Sequence, residues 1–291
     1  MSYGKRMTWL ADQQTNKHKN INNQQAKKIV LFDMDGTLTP PRKELDRDLI
    51  PALRELAKIS EIGIVTGSDH NYVLQQMGLL MENSEIRYKL HILPCNGTKY
   101  YPPPQSVTHK HELAFEKNMR EELGELHFSS IMEHILRRQS QLHLYNLPLT
   151  GHFVDYRGSM INWCPIGRNA NDSDRKRFQT FDGENSSFRT DEIKGFTGFL
   201  RRAAINDNVQ IKLGGETSYD IYPKGWDKTF ALQHFEDYQC WFVGDRCGNG
   251  GNDQTIYERL RVNGRSFEVK STKDTLKLIF DEIIPRVAND R

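Results

Sequence analysis

Two aspartates one residue apart are the first side chains in this sequence whose types and spacing suit chemistry. Asp33 and Asp35 follow the apolar run KIVLF, and Gly36 comes directly after them. Residues i and i+2 of an extended chain point the same way, so the two carboxylates face one spot. Like charges this close are unfavourable without a cation, and Mg²⁺ suits a hard oxygen site that also takes phosphate. The pair therefore predicts a magnesium site that binds a phosphate group.

Two simpler interpretations compete with a magnesium site. Asp33, Asp35 and Glu44 occupy three ligand positions of an EF-hand, but Leu38 stands where that loop needs glycine, and a strand precedes the loop. These departures disfavour a calcium loop. The stretch on its own also suits an acidic strand-to-helix turn in which an aspartate caps the helix, and that alternative stays open.

Further polar residues follow other predicted strands, at the sheet edge where open α/β folds bind ligands. GIVTGSD places Thr66 and Ser68 after the second strand, and FVGDRCGNGGND places Asp245 and Asp253 after a later one. GWDKTF places Lys228 in the first turn of a helix, where a lysine opposes the helix dipole. Taken alone, this lysine is equally well explained as a solvated surface residue. The combination of these groups favours phosphoryl transfer over a structural cap.

Alternating strands and helices are needed to position these groups. KIVLF, EIGIV and LHIL are predicted as buried strands separated by helices, and CWFVG and SFEVK as two later strands. This alternation predicts an α/β fold with a Rossmann-like parallel-sheet core. The first helix is expected to carry Leu45, Leu49, Leu53 and Leu56 on one face, with Pro51 near its start.

The middle of the chain has a different pattern. Residues 112–142 carry long, charged helical patterns, and two hairpins follow, turning at Gly158 and at Gly214-Gly215. Hairpins between two halves of a parallel sheet predict an inserted α+β cap domain with an antiparallel sheet. We place the core at residues 28–105 and 224–291 and the cap domain at residues 106–223.

Composition restricts the class of protein. The chain of 291 residues has 40 Lys and Arg against 38 Asp and Glu, and a net charge of +2 does not favour nucleic-acid binding. No apolar run approaches a membrane span, so we expect no membrane partner. The four scattered cysteines predict reduced thiols in a cytosolic protein and no zinc site. Residues 1–27 are rich in Gln, Asn and Lys and are predicted to be a disordered polar tail.

Several motifs resemble a known family. FDMDGTLTPPR, YRGSMINWCPIGR, GGETSYDIYPKGWDK and GDRCGNGGND resemble the eukaryotic-type phosphomannomutases of the haloacid dehalogenase-like superfamily, over residues 29–280. The resemblance implies an Mg²⁺-dependent phosphohexomutase that interconverts mannose 6-phosphate and mannose 1-phosphate through an aspartyl phosphate and a hexose bisphosphate. It implies mannose 1,6-bisphosphate or glucose 1,6-bisphosphate as activator. It also implies a homodimer, joined through the cap domain, that serves GDP-mannose biosynthesis.

The resemblance also implies a role for each candidate residue. Asp33 becomes the nucleophile and Asp35 the general acid and base, while Lys228 offsets charge and either Thr66 or Ser68 holds a phosphoryl oxygen. The implied metal ligands are Asp33, the backbone carbonyl of Asp35, Asp245 and Asp253. The implied substrate-binding residues are Arg42, Arg157, Arg168, Arg175, Ser218 and Asp220.

This chain departs from the family at several positions. Arg259 stands near the aspartate of the family's second-cation loop, which argues against a second cation here. The family's GDK becomes GDR at Arg246, its ENG becomes CNG at Cys95, and its GGSD becomes TGSD at Thr66, as in related phosphatases. Two alternatives therefore stay open: an Mg²⁺-dependent sugar-phosphate phosphatase and a non-catalytic regulator that binds sugar phosphates.

Overall fold

The computed structural model describes residues 26–290 except positions 41, 84 and 185–187. The strands are β1 (Lys27–Phe32), β2 (Glu61–Val65), β3 (Leu90–Leu93), β4 (Lys99–Tyr100), β5 (Phe115–Glu116), β6 (Val154–Tyr156), β7 (Ile161–Trp163), β8 (Val209–Gly214), β9 (Ser218–Pro223), β10 (Tyr238–Gly244) and β11 (Ser266–Glu268). The α-helices are α1 (Leu49–Ala57), α2 (His70–Glu82), α3 (Met119–Leu123), α4 (Glu125–Gln141), α5 (Asp172–Glu184), α6 (Phe188–Arg202), α7 (Gln254–Arg261), α8 (Thr272–Leu278) and α9 (Ile284–Asn289). A π-helical segment, Ile279–Ile283, joins α8 to α9, and Lys228–Phe235 is 3₁₀-helical.

The larger sheet is parallel and has the strand order β11-β10-β1-β2-β3. Its central strand β1 is apolar throughout its second half, and residues 29–32 are fully buried because helices cover both faces. The parallel sheet confirms the predicted α/β fold class. All five strands end at one edge, which brings together the loops that carry the candidate residues.

A second sheet of four strands is antiparallel and has the order β6-β7-β9-β8. Its two hairpins turn where the sequence predicts, at Gly158 and Gly215, which have φ values of 85° and 57°. Trp163 and Tyr219 pack against each other beneath this sheet in an apolar core of its own. The antiparallel sheet is the second feature of the predicted fold class.

A short antiparallel ladder links the two parts of the chain. In this ladder β4 pairs with β5, so Tyr100 lies opposite Phe115. The ladder crosses the border that we place between residues 105 and 106. The domain borders therefore stay a prediction, because the chain on the two sides of that border is hydrogen-bonded together.

Three sequence expectations need correction. Leu45 is buried but lies outside α1, since its N–H donates to the carbonyl of Gln76. The pattern predicted as long helices over residues 112–142 begins with β5 and breaks at Gly124, whose φ of 76° separates α3 from α4. The predicted tail reaches one residue too far, because Lys27 already pairs in β1; residues 1–25 lie outside the described residues.

Two expectations about composition can be compared with the described residues. All four cysteines are buried and free. Within the described part of the chain, no helix has both the length and the apolar character needed to cross a membrane.

Candidate active site

Three carboxylates meet at the carboxyl edge of the parallel sheet. Asp33 follows β1 and Asp245 follows the neighbouring β10, and the N–H of Asp33 donates to the carbonyl of Val243 at 2.8 Å. Asp253 joins them, so that one ligand atom from each carboxylate lies within 4.8 Å of the others. Gly36 has φ of 87°, and a Cβ at that position would lie 2.3 Å from Oδ2 of Asp245. Only glycine therefore allows this close approach.

Lys228 lies beneath this cluster and is fully buried. Its Nζ donates to Oδ1 of Asp33 and to Oδ1 of Asp253, the latter at 2.5 Å. Asp227 caps the 3₁₀ segment by accepting the N–H of Thr229 at 2.9 Å, which fixes the start of that segment. Burial opposes the charge of Lys228, but Asp253 and Asp33 outweigh it and raise the pKa of the ammonium. The lysine is thus a charged partner of the cluster and not a solvated surface residue.

The cluster holds more negative than positive charge. Burial raises the pKa of Asp33 well above its ordinary value, and although Lys228 opposes this, the carboxylates of Asp253 and Asp245 add to it. Burial and Asp253 also raise the pKa of Asp245 to about 6. Three carboxylates thus lie close together around the ammonium of Lys228, and repulsion among them adds to the effect of burial.

A hard divalent cation suits this donor set. Oδ1 of Asp245 and Oδ1 of Asn252 are buried side-chain oxygens without a hydrogen-bond partner among the described residues. Buried oxygens of this kind are normally satisfied, so an ion is a reasonable partner for them. The carboxylates, the amide oxygen and the excess negative charge fit Mg²⁺, which prefers oxygen ligands.

Asp35 stands beside the cluster and faces the cavity. Its Oδ1 accepts the backbone N–H of Arg42 at 3.1 Å and the hydroxyl of Tyr72 at 3.2 Å. Burial raises the pKa of Asp35, and these hydrogen bonds partly oppose that rise. A carboxyl group with a raised pKa next to a reacting centre is suited to carrying a proton.

Thr66 and Ser68 follow β2 and both reach the cavity. Thr66 is buried, and its Oγ1 accepts the N–H of Ser68 at 3.1 Å. The N–H of Thr66 donates to the carbonyl of Leu93 at 3.2 Å, which ties this turn to β3. The geometry keeps both hydroxyls available, so the choice between them stays open.

The antiparallel sheet supplies the opposite wall. Arg168 donates from Nη1 to Oδ1 of Asn162 at 3.0 Å. Nδ2 of Asn162 in turn donates to Oδ1 of Asp220 at 2.7 Å and to Oγ of Ser218 at 3.0 Å. This chain of hydrogen bonds fixes the guanidinium of Arg168 before any substrate is present.

Arg175 is held in the same wall by three acceptors. Its guanidinium donates to the carbonyl of Ala170 at 3.0 Å, to Oγ1 of Thr217 at 2.9 Å and to the carbonyl of Arg168 at 3.1 Å. A guanidinium has five N–H donors, so two remain for an anion. A half-buried, fixed guanidinium of this kind suits a phosphate group.

Two other arginines with a predicted substrate-binding role link the part of the molecule with the parallel sheet to the part with the antiparallel sheet. Arg157 is buried and donates to Oδ2 of Asp155 at 2.9 Å and to the carbonyl of Gly67 at 2.7 Å. Arg42 pairs with Asp172, the first residue of α5, at 2.7 Å. Both side chains are therefore engaged in contacts between the two parts of the molecule.

The predicted residues share a single cavity of about 320 Å³. Those that line it are Asp33, Asp35, Arg42, Thr66, Ser68, Arg157, Arg168, Arg175, Ser218, Asp220 and Asp245. Lys228 and Asp253 lie under its floor without exposure. Other lining side chains that sequence reasoning missed are Tyr72, Cys164, Asn162, Glu216, Thr217, Arg246 and Asn252. Asn162 and Asn252 belong to quoted motifs, whereas Tyr72 gives no signal beyond its position after GSD.

Fold and site together define a class of protein. A parallel α/β core with acidic residues at its carboxyl edge and an antiparallel cap is the haloacid dehalogenase-like arrangement. The IMP-nucleotidase of Plasmodium falciparum shares this fold, with a TM-score of 0.56 and 14% identity over 89% of this chain and 70% of that chain. At that identity the likeness concerns the fold alone.

Sequence comparison narrows the class to a family. The family model for eukaryotic phosphomannomutase matches residues 49–285. The phosphomannomutase of Arabidopsis thaliana is 34% identical over 251 residues, which are 85% of this chain and 93% of that protein. That of Schizosaccharomyces pombe is 33% identical over 262 residues, 88% of this chain and 95% of that protein. The chain therefore belongs to the eukaryotic phosphomannomutase family. This membership confirms the predicted resemblance and makes the chain a phosphohexomutase, an isomerase.

Proposed function

We propose that this protein interconverts mannose 6-phosphate and mannose 1-phosphate in the cavity between the two sheets. The observation that carries the proposal is the placement of Asp33, which shares one cavity with two fixed arginines, Arg168 and Arg175, from the other sheet. A bound hexose bisphosphate has phosphate at both ends, so it needs a reacting site and an anion site in one cavity. Relatives named phosphomannomutase support the choice of mannose.

The proposed chemistry passes through an aspartyl phosphate. An oxygen of Asp33 attacks one phosphorus of the bound hexose bisphosphate, the bond from that phosphorus to the sugar oxygen breaks, and Asp35 gives its proton to that oxygen, which leaves a hexose monophosphate. In the opposite step, the other hydroxyl of the sugar attacks the phosphoryl group on Asp33. Asp35 takes the proton of that hydroxyl as its oxygen accepts the phosphoryl group. Mannose 1,6-bisphosphate or glucose 1,6-bisphosphate would activate the protein by phosphorylating Asp33 in the first place.

The floor of the cavity would support this transfer electrostatically. Lys228 holds Asp33 in place, and Thr66 or Ser68 donates a hydrogen bond to a phosphoryl oxygen. Mg²⁺ would be held by Asp33, the backbone carbonyl of Asp35, Asp245 and Asp253, where it neutralises charge on the phosphoryl oxygens. The unpartnered oxygen of Asp245 supports that ligand set.

The opposite wall would bind the distal phosphate and the sugar. Arg168 and Arg175 have free N–H groups for the dianion, while Ser218 and Asp220 lie where sugar hydroxyls enter. Arg42 would exchange Asp172 for phosphate as the cap domain closes, and Arg157 would hold the cap against the core. Closure would exclude water, whose attack on the aspartyl phosphate would release free phosphate instead.

One incubation tests the proposal. Mannose 1-phosphate, Mg²⁺ and a trace of glucose 1,6-bisphosphate should give mannose 6-phosphate, measured by coupled oxidation or by ³¹P NMR. Free phosphate as the main product would instead indicate a phosphatase, and binding without turnover a regulator. Asp33→Asn should abolish turnover and leave the circular dichroism spectrum unchanged. The exposed control Asp207→Asn should leave turnover intact. An active Asp33→Asn variant would refute the nucleophile assignment.

We also propose a cytoplasmic homodimer joined through the cap domain, in the synthesis of GDP-mannose. The helix α4 carries exposed apolar residues, among them Leu126 and Leu136 with exposed fractions of 85% and 57%. A second copy of the chain would cover them. Light scattering should give twice the 33.9 kDa chain mass, and Leu126→Glu with Leu136→Glu should give the monomer.

A further inference from the structure

The hydroxyl of Tyr72 contacts Asp35, and none of the roles assigned above uses this contact. We propose that Tyr72 is a positioning residue, which turns the carboxyl group of Asp35 so that Oδ2 faces the sugar oxygen. The inference rests on the proposed function, because it concerns the proton that Asp35 transfers. It adds a residue from α2 to the site.

The first step of the argument is that Tyr72 is itself fixed. It lies in the first turn of α2, and its N–H donates to Oδ1 of the N-cap residue Asp69 at 2.8 Å. Its side chain crosses the edge of the cavity to reach Oδ1 of Asp35 at 3.2 Å. A ring anchored at a helix start has few alternative positions, so the contact directs Asp35.

The second step is that the direction of the hydrogen bond is set. The hydroxyl of Tyr72 donates to Oδ1 of Asp35, and the backbone N–H of Arg42, which can only donate, points to the same oxygen. That oxygen is therefore an acceptor for both partners. The hydroxyl proton of Tyr72 then points to Asp35, and Tyr72 acts as donor. The side chain of Gln76, buried one turn along α2, partly opposes the rise in the pKa of Tyr72.

The third step concerns the two oxygens of Asp35. Oδ1 accepts two hydrogen bonds, from Tyr72 and from the N–H of Arg42. Among the described residues, none donates to Oδ2. An oxygen that accepts two hydrogen bonds is a poor place for a proton, so Oδ2 carries the proton that goes to the leaving sugar oxygen. Losing the hydroxyl of Tyr72 frees the carboxyl group to rotate and lowers the fraction in the productive orientation.

The experiment compares two phosphoryl donors with different leaving groups. Rapid-quench measurements follow the attachment of ³²P from labelled glucose 1,6-bisphosphate and from labelled acetyl phosphate to the full chain with Mg²⁺. The sugar oxygen needs a proton as it leaves, whereas acetate leaves as a stable anion. Tyr72→Phe should slow labelling from the bisphosphate roughly tenfold, as expected for partial loss of general acid catalysis, and change labelling from acetyl phosphate by less than about twofold.

Two variants complete the test. Tyr156→Phe is the matched control, because Tyr156 donates to Oδ1 of Asn118 at 3.0 Å outside the cavity, and it should change neither rate. Gln76→Met removes the buried amide one turn from Tyr72 in α2 and should slow labelling from the bisphosphate selectively, by less than Tyr72→Phe does. This variant also keeps the phenol in place should Tyr72→Phe fail to fold.

Each outcome decides between the inference and the proposed function. If Tyr72→Phe slows labelling from both donors equally, or slows labelling from neither donor, the positioning role is overturned and the proposed function stands. A wild-type chain that takes label from neither donor would overturn the aspartyl phosphate and the positioning role together. A selective loss with the bisphosphate supports both.

Discussion

Replacing Asp245 with asparagine should make the metal-free protein more stable and remove its stabilisation by Mg²⁺. Asp245 is half-buried beside Asp33 and Asp253, and its Oδ1 lacks a hydrogen-bond partner among the described residues. In the absence of a cation, its negative charge therefore opposes folding. Asparagine has nearly the same shape and no charge, so the variant isolates the electrostatic contribution.

The magnitude follows from the pKa of this carboxyl group. Burial and Asp253 raise that pKa from the ordinary 3.8 to about 6. Below pH 4 the carboxyl group is protonated in the folded and the unfolded protein and does not oppose folding. As the pH rises through about 6, the group becomes charged in the folded protein, and the protein has lost about 3 kcal/mol of stability above pH 7. The new amide also replaces one carboxylate oxygen with an N–H₂ donor, and leaving that donor without an acceptor costs about 1 kcal/mol. The variant should therefore be more stable by about 2 kcal/mol at pH 8.

Urea unfolding in EDTA and in Mg²⁺ at pH 8 measures both effects. In EDTA the variant should unfold at a higher urea concentration than the wild type, and its stability should change less between pH 4 and pH 7. Mg²⁺ should stabilise the wild type and leave the variant nearly unchanged. Asp207→Asn is the control, because its side chain is 91% exposed. A variant less stable than the wild type in EDTA would refute the reasoning, as would one that Mg²⁺ stabilises fully.

Three further predictions concern the same cavity. Lys228→Met leaves two buried carboxylates unpaired and should destabilise the protein by roughly 3–5 kcal/mol, measured by urea unfolding; a loss under about 1 kcal/mol would contradict it. Arg168→Ala should weaken mannose 1-phosphate binding by roughly 1.5–3 kcal/mol by calorimetry, whereas unchanged affinity would exclude Arg168 from the phosphate site. Gly36→Ala places a methyl group against Asp245 at positive φ and should cost roughly 1–3 kcal/mol and end Mg²⁺ stabilisation; a variant still stabilised by Mg²⁺ would count against this.

Most of the fold was predictable because its signals are local. The apolar runs of β1 and β2 and the glycines at the hairpin turns each report on a few neighbouring residues. Leu45 shows the limit of such patterns. It fits the helical spacing, yet its N–H bonds to Gln76 in another helix, and that competition depends on tertiary contacts.

The site was predictable in its residue types and less so in its contacts. Lys228 suits either a solvated surface or a buried ion pair by sequence, and only the packing of its 3₁₀ segment against β1 and β10 decides between them. Arg157 matches a phosphate-binding motif, but its hydrogen bonds go to Asp155 and Gly67. Tyr72 has no motif at all, because its contact with Asp35 depends on how α2 approaches the first loop.

The pairing of β1 with β10 has a consequence for the order in which the molecule forms. The two strands that precede Asp33 and Asp245 are separated by most of the chain, whereas the four strands of the antiparallel sheet lie within residues 154–223. On the ribosome, the antiparallel sheet is complete before β10 emerges, and β1 waits without a neighbour on that side. The acidic cluster therefore assembles late in synthesis, which postpones the electrostatic repulsion until nearly all of the apolar core is available to oppose it.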